Sequence, residues 1–390
     1  MFTESCFAEE FLRWAWPLLL QFCSFPRRLV TLPAMMNVPR DAISFISLAE
    51  AHGVLGHFAA VLGDFPHMQI PSSLVDPLRV HKRVHLLANL VMTGELFRVL
   101  ALFQLHNIEC VVVKGPVLSL RAYDEPTVRR YSDLDLIVRQ RDIPRAVEVL
   151  TQIGYSSRIS EQAIRAGKIP GEYNFRGQDG KVILELHTER TLRYFPLPLP
   201  VESYFQRKTA VYLDGRPIPV LSGEHEFVLI SVHGGTHFWE RLMWISDVAA
   251  MVHNRPELDW NRIQRCAADV GAERMVGVAL LLAQRLLDVK VPPEMQEYIA
   301  SDLMVLRLVG RIEKWLPFAG WATPRIGERA WFRFQMPGNV ISGAAYLTRL
   351  SLSTTQDDWA GDSGGAVSHF AEILRRPFRL ARKYRRNPDS

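Results

Sequence analysis

The run Ser132-Asp133-Leu134-Asp135-Leu136-Ile137-Val138 carries the sharpest chemical signal in the chain. Side chains alternate along a strand, so Asp133 and Asp135 share one face while Leu134 and Leu136 enter a core. Two carboxylates held about 7 Å apart on one face can share a divalent cation with a phosphate. A second alternating run, Val182 to His187, places Ile183, Glu185 and His187 on one face. Laid beside the first, it would add Glu185 as a third carboxylate. Such a trio predicts a site for two Mg²⁺ ions, or Mn²⁺ in their place, that bind a triphosphate and activate an attacking oxygen.

Other residues suit the same chemistry. Lys114-Gly115 closes a short β-branched run, and a residue without Cβ there lets the backbone approach a phosphate at the start of the next helix. Arg129, four residues before Asp133, could place its planar fork on a triphosphate, with Arg130 as the fallback; the competing reading is an ion pair with Asp124 or Glu125. His187 could act as a base beside Glu185 or orient a carboxylate. From Glu226 the pattern predicts one helix. At about 100° per residue, His233, His237, Arg241, Trp244 and Asp247 fall within about 120° of one another. That stripe could contact base, sugar or acceptor, with Trp244 stacking, or form a hydrogen-bonded seam. Zinc is disfavoured, because Gly234 stands where an H-E-x-x-H site needs its glutamate.

Val111-Val112-Val113-Lys114-Gly115, then Arg129-Arg130-Tyr131-Ser132 with the D-x-D strand, then Leu184-Glu185-Leu186-His187, resemble an uncharacterised family of bacterial nucleotidyltransferases in the polymerase-beta-like superfamily. The segment His233 to Asp247 is similar to a helical part of the same family, and Asp259-Trp260 and Asp357-Asp358-Trp359 share the likeness. The resemblance implies transfer of an NMP from an NTP, ATP foremost, to an unidentified acceptor hydroxyl or phosphate, with release of pyrophosphate. It implies metal ligation by Asp133, Asp135 and Glu185, and phosphate contacts from Lys114 and Gly115. Two positions depart from the superfamily pattern: Pro116 replaces a phosphate-binding serine, and Glu185 stands where many relatives carry Asp.

The elements that must position these groups are an α+β core with a small mixed sheet, flanked by helical regions. Residues 1–105 read as helical, with Leu78 to Leu105 one long buried helix that includes Leu86, Leu87, Leu90 and Val91. Residues 106–220 form the core: strands at 109–113 and 134–138, a helix from Ile143 to Gly154, and a hairpin from Tyr173 to His187. Pro196, Pro198, Pro200, Pro217 and Pro219 mark a connector. Helices over 221–316 complete the cleft, and 317–390 form an extension.

The formal charge of +5 belongs to the C-terminus. Seven cations lie between Arg375 and Arg386, and without them 39 cations face 41 acids. The body is therefore no nucleic-acid cradle, although the tail could touch RNA or an anionic surface. Cys6, Cys23, Cys110 and Cys266 form no C-x-x-C pair, so neither a disulfide framework nor a zinc site is predicted, and a reducing cytoplasm fits. No uninterrupted apolar run approaches the roughly 20 residues of a bilayer span. Two alternatives remain open: a D-x-D glycosyltransferase using a nucleotide sugar, and a non-catalytic nucleotide- or RNA-binding module.

Overall fold

Short β-branched runs in this chain assemble into one sheet. The computed structural model describes residues 2–33, 38–165, 167, 169, 171–191, 195–319, 326–353 and 376. Asp357-Asp358-Trp359 and all of the basic tail except the buried Arg376 lie outside the described residues. Strands β1 (Cys110–Val113), β2 (Asp133–Val138), β3 (Glu172–Arg176), β4 (Ile183–His187), β5 (Thr209–Leu213) and β6 (Arg216–Val220) pair in the order β3-β4-β2-β1-β6-β5. The pairing is mixed: β1 runs antiparallel to β2, and β2 parallel to β4. The register sets Asp135 beside Val113 on one side and Glu185 on the other. The mixed α+β architecture is therefore as the sequence implies.

The β5–β6 hairpin was not foreseen, since Pro217 and Pro219 suggested a connector. Its signal was Asp214-Gly215, whose φ angles of +48° and +74° make the tight reversal. The prolines cannot donate to a ladder, and the β1–β6 pairing is reduced to Val112 against Val220.

Helices α1 (Phe2–Cys23), α2 (Pro39–Ala51), α3 (Leu55–Asp64) and α4 (Ser72–Leu105) precede the sheet. Helix α5 (Gly115–Tyr123) links β1 to β2, followed by α6 (Ile143–Gln152), α7 (Glu161–Arg165) and α8 (Val201–Gln206). Helices α9 (Gly223–Thr236), α10 (Leu242–Asn254), α11 (Trp260–Val270), α12 (Glu273–Leu287), α13 (Pro293–Ala300), α14 (Leu303–Trp315), α15 (Ile326–Gln335) and α16 (Val340–Leu352) follow it.

Alternation divides the sheet's side chains between two apolar cores. Val112, Leu134, Leu136, Val138, Leu184 and Leu186 pack on one face with Met92, Leu96, Val99 and Phe103 of α4 and with α6. Val111, Val113 and Ile137 face the other way, into a helical core that joins Phe22, Phe45 and Phe58 to α9, α10, α12 and α14. Each fully buried Leu or Phe there contributes about 1.5–3 kcal/mol. Asp135, Glu185 and His187 belong to this second face, so the helical body roofs the carboxylates.

Helix α4 departs from the expected buried helix. Met92, Leu96, Val99 and Phe103 form its buried stripe, but Leu86, Leu87, Leu90 and Val91 stay 45–57% exposed. The helix meets the sheet core along that single stripe, while Leu74 and Leu78 near its start join the helical core. By length and composition alone α4 could cross a bilayer, with the other part of its apolar surface spent on the sheet.

The turn between α9 and α10 explains Gly234. Phe238 and Trp239 adopt φ of +61° and +53°, and the Trp239 indole folds back on Gly234. A Cβ on Gly234 would lie 2.3 Å from that ring. Gly234→Ala should therefore lower stability by about 1–3 kcal/mol through overpacking, read as a smaller urea midpoint with unchanged slope.

Two buried histidines join the N-terminal helices to this body. The Leu242 N–H donates to His52 Nδ1 (3.3 Å), and His57 Nε2 meets the Tyr123 hydroxyl (3.1 Å). Burial, aided by Arg241, lowers His52 to about 4, while burial with Arg27 and Arg129 lowers His57 to about 3. Folded pKa values below the unfolded one mean stability that is complete above about pH 6.5 and lost as pH falls. Between pH 6 and 5, wild type should lose about 1 kcal/mol more than His52→Gln, measured by denaturation at each pH.

Candidate active site

Where β1 ends, the backbone takes an unusual path. Lys114 has φ +55° and ψ −140°, and Gly115 follows with φ +46°. A non-glycine residue in that region is strained, and such strain persists where surrounding structure holds it. What it achieves is aim: Lys114 Nζ donates to Asp135 Oδ1 at 3.2 Å. Pro116 then opens α5 as a first-turn proline, where a missing N–H costs nothing.

Asp135 lies at the centre. Its Oδ1 also accepts from His187 Nε2 at 2.8 Å, and the same nitrogen lies 3.6 Å from Glu185 Oε2. One ligand atom each from Asp135, Glu185 and His187 gather within 4.8 Å of one another, a group able to hold a metal ion. Burial alone would raise the Asp135 carboxyl, but Lys114 and His187 outweigh it and hold it well below the usual carboxylate range. Glu185 is pushed up to about 7, first by burial and then by the Asp135 charge. Burial and Asp135 likewise raise Asp133. His187 and Lys114 both sit above their ordinary values, because Asp135 overcomes the burial that would discharge them.

Of the three expected carboxylates, then, Asp135 and Glu185 meet in the tight group. Asp133 stands two residues before Asp135 on the same face, half-buried, and interacts electrostatically with Asp135, Lys114, Arg129 and His187. His187 joins the group as the partner of both acids, which the orienting alternative anticipated.

Arg129 has a different place from the expected triphosphate contact. It is 5% exposed, and its Nε donates to Asp247 Oδ2 at 2.9 Å, across 118 positions of sequence. Tyr123 donates to Asp247 Oδ1 at 2.9 Å, and the Arg129 N–H donates to Ser119 Oγ. A charge this enclosed needs a fixed partner, and Asp247 is it. Neither Asp124 nor Glu125 is that partner: Asp124 pairs with Arg255, and Glu125 accepts from Thr127.

The single helix expected from Glu226 to Asp247 is two, and the projected stripe does not exist as such. The helix breaks after Thr236 because Trp239 packs on Gly234, which reorients everything beyond it. His233, His237 and Trp244 nonetheless converge, with ring centroids 4.7, 5.1 and 5.4 Å apart, and the Arg241 guanidinium lies 5.9 Å from the Trp244 ring. Packing around His233, then the Lys114 charge, pushes its imidazole well below the usual range, so it is neutral. Asp247 leaves the stripe for Arg129.

A family model described as an uncharacterised nucleotidyltransferase matches residues 39–288, well over half the chain. The chain belongs to that nucleotidyltransferase family. No curated protein matches its sequence. Among solved structures, a lincomycin-bound lincosamide antibiotic adenylyltransferase is 15% identical, covering 40% of this chain and 94% of that one at a TM-score of 0.28. An antigenic nucleotidyltransferase-like protein from Paracoccidioides brasiliensis is 15% identical over 55% and 93% of the two chains, at 0.31. The assignment rests on the family match, and it sets aside the glycosyltransferase alternative.

Sequence reasoning missed three groups around this nucleotidyltransferase site. Glu172 lies opposite His187 in the β3–β4 ladder and acts on Glu185 and His187 electrostatically. Its place as the residue before Tyr173 at the hairpin start was the signal. Tyr123 and His57, which brace Asp247, carried none, because nothing local marks a contact 124 positions away. Breaking the Arg129–Asp247 pair with Arg129→Gln or Asp247→Asn should cost about 3–5 kcal/mol in urea unfolding. A direct triphosphate role would instead leave stability intact and weaken NTP affinity.

Proposed function

We propose that this nucleotidyltransferase moves an NMP from an NTP, ATP foremost, to an acceptor hydroxyl or phosphate, releasing pyrophosphate, with Mg²⁺ or Mn²⁺ held by Asp133, Asp135 and Glu185. The observation that carries the reading is the meeting of Asp135, Glu185 and His187 beside Lys114 on one strand face. The donor set fits a divalent cation. Carboxylate oxygens suit Mg²⁺, and an imidazole within the same group also suits Mn²⁺. When bound, the ion would neutralise triphosphate charge and activate the acceptor oxygen.

The chain's own residues divide the remaining work. Asp135, whose side chain is 3% exposed, is closed in by its two cations and is the fixed ligand. Glu185, at 19%, is the carboxylate open to an incoming acceptor and takes its proton at a carboxylate oxygen. Lys114 Nζ, 3.2 Å from Asp135, swings between that carboxylate and a phosphate oxygen. His187 keeps Asp135 ionised and oriented. His233, His237 and Trp244, with Arg241 beside them, form the aromatic wall for base and sugar. Rate enhancement comes mainly from positioning and charge neutralisation.

Asp135→Asn and Asp133→Asn should each cut metal-dependent pyrophosphate release from NTP by at least about 100-fold, and Mn²⁺ binding followed by paramagnetic resonance should weaken in parallel. Undiminished turnover in both variants would sink the assignment. Metal and NTP binding without any turnover in wild type would leave the non-catalytic module.

A further inference from the structure

Several arginines of this protein are bound to acids: Arg121 to Glu226, Arg129 to Asp247, Arg139 to Glu109 and Glu202, Arg274 to Asp302. A cleft of about 670 Å³ between the end of α8 and α11 is lined by Arg207, Arg262, Arg265, Cys266, Ala268 and Asp269. We propose that this cleft is a second anion site, separate from the carboxylate centre, which takes a small, multiply charged phosphate compound through Arg207, Arg262 and Arg265.

The charges are arranged for it. Asp269 is the only acid among the lining residues, against three guanidinium groups. Arg207 and Arg265 are exposed, and among the described residues their side chains make no hydrogen bond or ion pair. Arg262 has one loose ion pair, 3.7 Å from Glu224, while its Nε is buried without an acceptor. Three like charges facing one cleft repel, and an anion carrying several oxygens relieves that repulsion while supplying planar guanidinium forks with acceptors.

The positions are built in. Asp259 caps α11 by accepting from the Arg262 N–H at 2.9 Å, which fixes the first turn. Arg262 and Arg265 then stand three residues apart on one helix face. Arg207 comes from the residue that ends α8. The volume is that of a small-molecule pocket and not of a track for a polymer. The site also stands apart from Asp135. His225, which feels the charges of Arg262 and Arg207, and His233, which feels Lys114, are eight positions apart on α9, about 12 Å along the helix axis.

The test uses the full-length protein in EDTA, so that no metal-bridged triphosphate forms at the carboxylates. Inorganic tripolyphosphate and metal-free ATP are titrated by calorimetry into wild type, Arg207→Gln/Arg265→Gln and Asp135→Asn. Both replaced arginines are exposed and unbonded, so the double variant should fold and melt as wild type does. Binding should weaken about tenfold or more in the arginine variant and persist in Asp135→Asn. Tighter binding of ATP than of tripolyphosphate would identify a nucleotide as the ligand, and equal binding an inorganic polyphosphate; both support the site. Equal affinity in wild type and the arginine variant, or no binding to wild type, overturns it whatever becomes of the carboxylate chemistry.

Discussion

The buried pair between Arg129 and Asp247 is the constraint on which the rest depends. Two charges removed from water are costly unless every hydrogen-bonding atom nearby is directed at them. Here Tyr123 closes the second carboxylate oxygen, His57 holds Tyr123, and Ser119 holds the Arg129 backbone. The pair therefore ties α3, α5 and α10 to the loop that feeds β2. Gly56 permits the closeness, since a Cβ there would fall 2.2 Å from the Val128 carbonyl. Were this clamp to slip, Asp133 and Asp135 would lose their registration against α9, and with it the aromatic cluster opposite them.

The clamp explains how the sheet can carry three acids on a face roofed by helices. Carboxylates this enclosed would ordinarily be protonated. The strained Lys114 backbone and the β4 register each deliver one cation to Asp135 Oδ1, so one acid stays charged at the expense of its neighbours, and Glu185 and Asp133 rise instead. Unequal neighbouring carboxylates are what a site needs when one must hold a cation and another must handle a proton.

Much of this was legible from alternation. A period of two placed Asp135, Glu185 and His187 on one face, and the parallel β2–β4 register then brought them together. What was illegible depended on long-range geometry. Angular reasoning about His233 to Asp247 assumed an unbroken helix, whereas Trp239 folding onto Gly234 turns the chain. Arg129 stood near Asp124 and Glu125 in sequence, yet its partner is Asp247, 118 positions away. The β5–β6 hairpin was hidden by prolines that mark an irregular ladder, although Asp214-Gly215 announced the turn. The surface of α4 was misread because apolar spacing reports which residues could be buried, and the sheet had room for one stripe.

The same long-range economy governs the arginines. Arg121, Arg139, Arg255 and Arg274 each bridge elements far apart in sequence, the Arg255 contact with the Arg121 carbonyl spanning 134 positions. A fork of five donors is suited to such seams, because it can satisfy carboxylates and carbonyls from two elements at once. Guanidinium groups used this way make the seams rigid. Rigidity elsewhere lets Lys114 and His187 stand within 3.2 Å of Asp135 Oδ1 before any substrate arrives, so little ordering is left for the binding step.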